Sequence, residues 1–100
     1  MAWLIVCEDG PDGAKLRADR ALMDAHWAHE QSIKQHILCA GSLRSDDGTT
    51  PLGGLLILDI ATRDEALALF NADPATRAGL RHKVTVKRWN KAIFAGAVCD

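Results

Sequence analysis

His26 and His29 stand three residues apart within Asp24–Leu43, DAHWAHEQSIKQHILCAGSL, and on an α-helix that spacing puts both imidazoles on one face. An imidazole, with an ordinary pKa of ~6.5, exchanges a proton near neutral pH and serves as a general acid or base, or as a metal ligand. On a helical wheel Leu22, His26, His29 and Ile33 form one stripe, which Met23 and Trp27 broaden. A histidine turned to the core side of a helix is either a packed side chain with a satisfied ring nitrogen or a titratable group lining a partly dry cleft. Glu30 is close by, but two imidazoles without a third histidine make an incomplete ligand set, so no metal is expected.

The remaining polar candidates are fewer. Ser42 can donate a hydrogen bond to a substrate oxygen, yet no Ser-His-Asp spacing marks it as a nucleophile. Arg20 is suited to hold a ligand carboxylate, or else sits in an exposed ion pair. Asp73 precedes Pro74, and aspartate at an N-cap with proline next starts a short helix without any catalysis. Cys7, Cys39 and Cys99 make an odd count without C-x-x-C spacing, so free thiols are expected, with Cys99 a mobile exposed one.

These side chains need a scaffold, and 100 residues with 48% hydrophobic content make one domain with a real core. With 25% charged residues and a net charge of -1, the chain is neither disordered nor a basic nucleic-acid binder. Its apolar runs, Ala2–Cys7 and Leu55–Leu58 among them, fall short of the roughly 20 residues that cross a bilayer, and no signal-like start is present. The expectation is a cytoplasmic protein without membrane or nucleic-acid partners.

Trp3–Cys7 is continuously apolar and ends in the turn-rich Glu8–Gly13, which predicts a first strand covered on both faces. Helical periodicity then runs from about Lys15 to Gln35. His36–Ala40 predicts a second strand leading into Gly41-Ser42-Leu43, and the Asp47-Gly48 turn joins it in a hairpin to the apolar Leu52–Ile60. Gly53-Gly54 within that third strand marks a bulge or a close approach to the backbone. Thr62-Arg63-Asp64-Glu65 fits a capping box opening a second helix, buried through Ala66, Leu69 and Phe70, which stops near Ala72 ahead of Pro74. A helical turn over Thr76–Leu80, a strand over Val84–Trp89 and an apolar tail over residues 92–100 follow. The order β-α-β-β-α-β is the split unit of the ferredoxin-like α+β fold, two helices on one face of an antiparallel sheet. Leu4, Val6, Leu55 and Ile57 or their neighbours then face away from the helices, and pairing of two such sheets in a homodimer is expected to cover them.

His26, Ala40-Gly41, Gly53-Gly54, Ala72-Asp73-Pro74, Ala78-Gly79-Leu80 and Val84-Thr85-Val86 running to Trp89 together resemble the YciI-like (YCII-related) family. That family consists of small proteins of the dimeric α/β barrel type, and the resemblance extends from strand one to Trp89. It implies an active site built from a histidine and an aspartate, in enzymes similar to lactone isomerases and dehydrochlorinases. Residue by residue, the family histidine falls on His26, with His29 the alternative, and the family aspartate falls on Asp73. Ser42 replaces a usual proline after Gly41, Ala75 replaces an aromatic residue, and Arg20 lies six positions before His26 where the family arginine usually lies three before. The implied function is an isomerase- or lyase-type reaction, in which His26, oriented by Asp73, moves a proton on a small anionic cyclic substrate. Arg20, His29, Gly41 and Ser42 are the candidate substrate-binding residues, and no cofactor is expected. A non-catalytic dimeric module that binds a small ligand or a partner is the other reading.

Overall fold

A computed structural model describes residues 1–99; Asp100, the last position of the expected tail, lies outside the described residues. Strands β1 (Ala2–Asp9), β2 (Ile37–Arg44), β3 (Pro51–Leu58) and β4 (Arg81–Trp89) form one antiparallel sheet in the order β2-β3-β1-β4. The helices are α1 (Gly13–Arg17), α2 (Arg20–Ser32), α3 (Arg63–Asn71) and α4 (Pro74–Arg77). This is a small α+β fold with an antiparallel sheet and four α-helices, consistent with the expected ferredoxin-like arrangement. β1 is central, paired with β3 and β4, and its unbroken apolar run puts apolar side chains on both faces of the sheet.

The core lies between sheet and helices. Ile5 and Cys7 of β1 and Leu58 of β3 meet Ala66 and Phe70 of α3, and Trp3, Leu56 and Val86 pack around them. The helix expected over Lys15–Gln35 is two helices and a 3-10 turn, Lys34–His36. The break falls at Asp19, whose backbone is extended and whose side chain accepts the Leu22 amide hydrogen at 3.0 Å, so it caps α2 instead of continuing α1. Leu22, His26 and His29 of α2 are half-buried and Ile33, at the C-cap, is buried, as the stripe predicts. Trp27 departs from it: it borders the cleft and stays 58% exposed.

At α3, Thr62 Oγ1 accepts from the Glu65 amide at 3.2 Å, as a capping box requires. The Glu65 carboxylate takes the Thr62 hydroxyl hydrogen at 2.8 Å. α4 ends in a Schellman motif: the Leu80 amide donates to Ala75 O at 3.1 Å and the Gly79 amide to Thr76 O at 3.1 Å, with Gly79 at φ +91°. That turn delivers the chain into β4 at Arg81, three residues before the expected strand start at Val84.

β4 is irregular in a way alternation does not foresee. Val6 pairs with Thr85 but Glu8 pairs with His82, so one extra residue bulges opposite Cys7, and Lys83 there has φ +46°. A one-residue insertion inverts which face each following side chain occupies. Arg81, opposite Asp9, is thereby carried to the helix side with Ile5 and Cys7, and His82 points the other way.

Gly53 and Gly54 keep regular register with Glu8 and Cys7, and the bulge against β2 falls one residue earlier, at Leu52. The glycines serve close approach instead, since a Cβ on Gly53 would collide with the Cys7 carbonyl oxygen. The C-terminal segment forms a small hairpin, β5 (Ile93–Phe94) with β6 (Ala97–Val98), and Phe94 meets Trp89 edge-on at 6.5 Å. Cys99 was expected to be mobile and exposed; it is half-buried, its amide donating to Ala92 O at 2.8 Å. Cys7 and Cys39 are also free thiols, lying on a central and an edge strand. Among the described residues, no helix is long and apolar enough to cross a membrane.

Candidate active site

A cleft of about 380 Å³ opens between the helix layer and the sheet, in the size range of small-molecule sites. His26 and Phe70 line its helix wall, Cys7 and Gly54 its sheet floor, and Ser42 and Arg44 its β2 side. His26 projects from the middle of α2 because Asp19 fixes where that helix begins. Asp73 is placed by its own cap: its backbone is extended, Pro74 supplies a preset first helical residue, and Oδ1 accepts the Ala75 amide hydrogen at 2.9 Å.

The second carboxylate oxygen is therefore free for another partner, and Asp73 Oδ2 lies 2.7 Å from His26 Nδ1 across 47 positions of sequence. Capping and contact with the histidine are both present, one oxygen each. Asp73 is 6% exposed, and burial pushes its carboxyl pKa up. The hydrogen bond from His26, the Ala75 amide and the charges of His26 and Arg81 outweigh burial and hold the pKa below the ordinary aspartate value. An ionised carboxylate only accepts, so Nδ1 carries the hydrogen, and in the neutral ring Nε2 is the nitrogen with the lone pair. Glu30, one helical turn on, brings Oε1 to 3.4 Å from Nε2. An imidazolium formed at His26 would lie between two carboxylates.

His26, Glu30 and Asp73 also bring ligand atoms within 4.8 Å of one another. The two carboxylates approach opposite nitrogens of the ring, so a single ion cannot engage all three while the 2.7 Å hydrogen bond persists. The arrangement suits proton transfer better than metal coordination.

Of the other sequence candidates, Gly41 and Ser42 line the cleft, and the Ser42 hydroxyl accepts from Arg44 Nε at 2.8 Å. His29 does not line it: Nε2 meets Leu69 O at 2.9 Å, tying α2 to α3. Arg20 does not either, because it is the exposed first residue of α2. Three other arginines, Arg17, Arg44 and Arg81, border the cleft. Arg17 is neutralised by Asp9 through Nε at 2.6 Å and Nη2 at 2.9 Å, and also reaches Gly53 O at 3.3 Å. The sequence signal that existed for Arg17 was the turn-rich Glu8–Gly13, short enough to fold α1 back on Asp9; for Arg81 there was none, because the bulge decides its face.

Residues 1–90 match the YCII-related domain, and the chain belongs to that family. Among solved structures it is similar to the 5-chloro-2-hydroxyhydroquinone dehydrochlorinase of Burkholderia phenoliruptrix, solved in complex with 2,5-dihydroxybenzoquinone. The two share 30% identity and superpose with a TM-score of 0.78, over 90% of this chain and 94% of that one. No curated protein matches the chain.

Proposed function

We propose that the protein is a small-molecule enzyme of the lyase or isomerase type, in which His26 Nε2 takes and returns a proton and Asp73 fixes the ring. The 2.7 Å contact between His26 Nδ1 and Asp73 Oδ2 at a cleft of ligand size carries this reading. Similarity to a dehydrochlorinase supports elimination as the reaction. The substrate reacts as its keto tautomer, in which the chlorine-bearing ring carbon carries a hydrogen and is tetrahedral. A substrate proton passes to Nε2, its bonding pair forms the new double bond, and the carbon–chlorine bond breaks with its pair leaving on chloride. Gly41 and Ser42 border the same cleft. Incubation with 5-chloro-2-hydroxyhydroquinone should release chloride faster than the buffer blank, and His26→Asn should not. Binding of the compound without chloride release from the wild type would return the protein to the class of non-catalytic binding modules.

The functional unit is proposed to be a homodimer. On the helix-free face Leu4, Val6 and Leu55 remain only half-buried in a single chain, and Leu43 and Leu52 are exposed nearby. Light scattering at micromolar concentration should give twice the 10.8 kDa of one chain. A stable monomer would defeat face-to-face pairing of the sheets.

A further inference from the structure

We propose that Arg81 is the anion subsite of the cleft, where its guanidinium takes a delocalised oxyanion, the ionised hydroxyl of an acidic planar ring. The proposal rests on the reading of the cleft as a substrate site and names the class of substrate it takes.

Arg81 borders the cleft, yet its Nε and Nη1 are buried and meet no acceptor. Among the described residues no carboxylate forms an ion pair with it, whereas Arg17 has Asp9. Asp73 is near enough for its carboxyl to feel the Arg81 charge, but both its oxygens are already engaged, by Ala75 and by His26. The Cys7 thiol beside Arg81 supplies no counter-charge: burial raises its pKa, although the Arg81 guanidinium acts the other way through its charge and its hydrogen bonding to the sulfur. The remaining cleft arginine, Arg44, is exposed and donates to Ser42 Oγ and Gly48 O.

Folded proteins leave few buried donors unpaired, and a guanidinium with two buried, unpartnered nitrogens is stabilised by an incoming anion. The backbone is bent to keep Arg81 there. Without the bulge at Lys83, whose φ of +46° is unfavourable for a side chain of that kind, alternation would turn Arg81 out to the helix-free face. Gly54 completes the seat, since a Cβ there would come within 3.0 Å of Arg81 Nη1. The planar fork of a guanidinium matches a delocalised oxyanion better than an ammonium does.

The probe is 2,5-dihydroxybenzoquinone, compared by calorimetric titration with 2,5-dimethoxybenzoquinone, the same ring without ionisable hydroxyls. Wild type and His26→Asn should both bind the acid, and wild type should bind the dimethyl ether at least tenfold more weakly. Arg81→Gln should weaken the acid by about 10- to 100-fold, the loss expected for hydrogen bonds to a charged group. Arg81→Lys should fall between, and Arg63→Gln, on the exposed start of α3, should match wild type. Binding of the acid by folded Arg81→Gln within twofold of wild type would overturn the proposal. So would equal binding of acid and ether, or no binding of the acid by wild type. If Arg81→Gln does not fold, the acid-to-ether ratio on wild type and the Arg81→Lys affinity decide. Because His26→Asn is scored on binding, loss of this subsite and loss of the proton-transfer reading are separate results.

Discussion

Asp73→Asn is expected to leave the protein folded and to cut its turnover by about 10²–10⁴, the range for loss of a positioned proton-transfer group. The asparagine oxygen can still cap α4 through the Ala75 amide, which Asp73 Oδ1 now holds at 2.9 Å. Its other arm becomes an NH₂ group and donates toward His26 Nδ1, so Nδ1 must accept and the hydrogen moves to Nε2, where the base is needed. ¹⁵N shifts of the ring should report this exchange of tautomer without reference to any substrate. His26→Asn should lose activity to the same degree with its fold kept, since α2 still packs through Leu22 and Ile33. Asp73→Ala removes the cap as well and should cost about 0.5–2 kcal/mol more stability than Asp73→Asn in thermal or urea unfolding. Wild-type turnover in Asp73→Asn would reduce Asp73 to a helix cap.

Acid unfolding gives the same variant a second readout. The folded pKa of Asp73 is lowered, so its ionised form stabilises the fold fully above the unfolded value of about 3.8, and that contribution disappears as pH falls through the lower folded value. The stability gap between wild type and Asp73→Asn should therefore close as pH falls below 3.8. A gap that stayed open at the acid end would contradict the pairing.

The legibility of this chain follows the range of the forces involved. β1, the β2–β3 hairpin and α3 were readable because apolar runs, Asp47-Gly48 and Thr62-x-x-Glu65 act within a few residues of themselves. The break at Asp19 was not, because a cap interrupts a helix only when the flanking segment has somewhere else to go, and α1 goes to Asp9. The His26–Asp73 contact was half legible: the stripe turned His26 inward, but Asp73 as its partner came from family resemblance, since Asp-Pro alone predicts only a cap. The anion-binding arginine was illegible. Arg20 lies near His26 in sequence, yet the side of the sheet that Arg81 occupies depends on the bulge at Lys83, and no local pattern in His82-Lys83-Val84 announces it.

Gly53→Ala should be among the most destabilising single-methyl additions to this chain, because β1 leaves no room for it. A Cβ at Gly53 would run into the Cys7 carbonyl oxygen, and its next neighbours are the Cys7 carbonyl carbon and Glu8 Cα at 3.2 Å, all backbone of the central strand. Backbone cannot rotate away as a side chain does, so either β1 and β3 part locally or the glycine's pairing with Glu8 and Leu43 is lost. Overpacking of this kind costs about 1–3 kcal/mol, and a kcal/mol moves Tm by about 4–8 °C in a domain of this length. The damage should also reach the cleft, because Gly53 O receives Arg17 and the displaced strand carries Asp9. Gly41→Ala supplies the contrast: a Cβ there meets nothing within 4 Å, so its Tm should match wild type even though Gly41 borders the same cleft. Thermal unfolding followed by circular dichroism distinguishes the two. Equal melting of Gly53→Ala and Gly41→Ala would mean that β1 and β3 are not held at this spacing, and the floor on which Cys7 and Arg81 are placed would have to be redrawn.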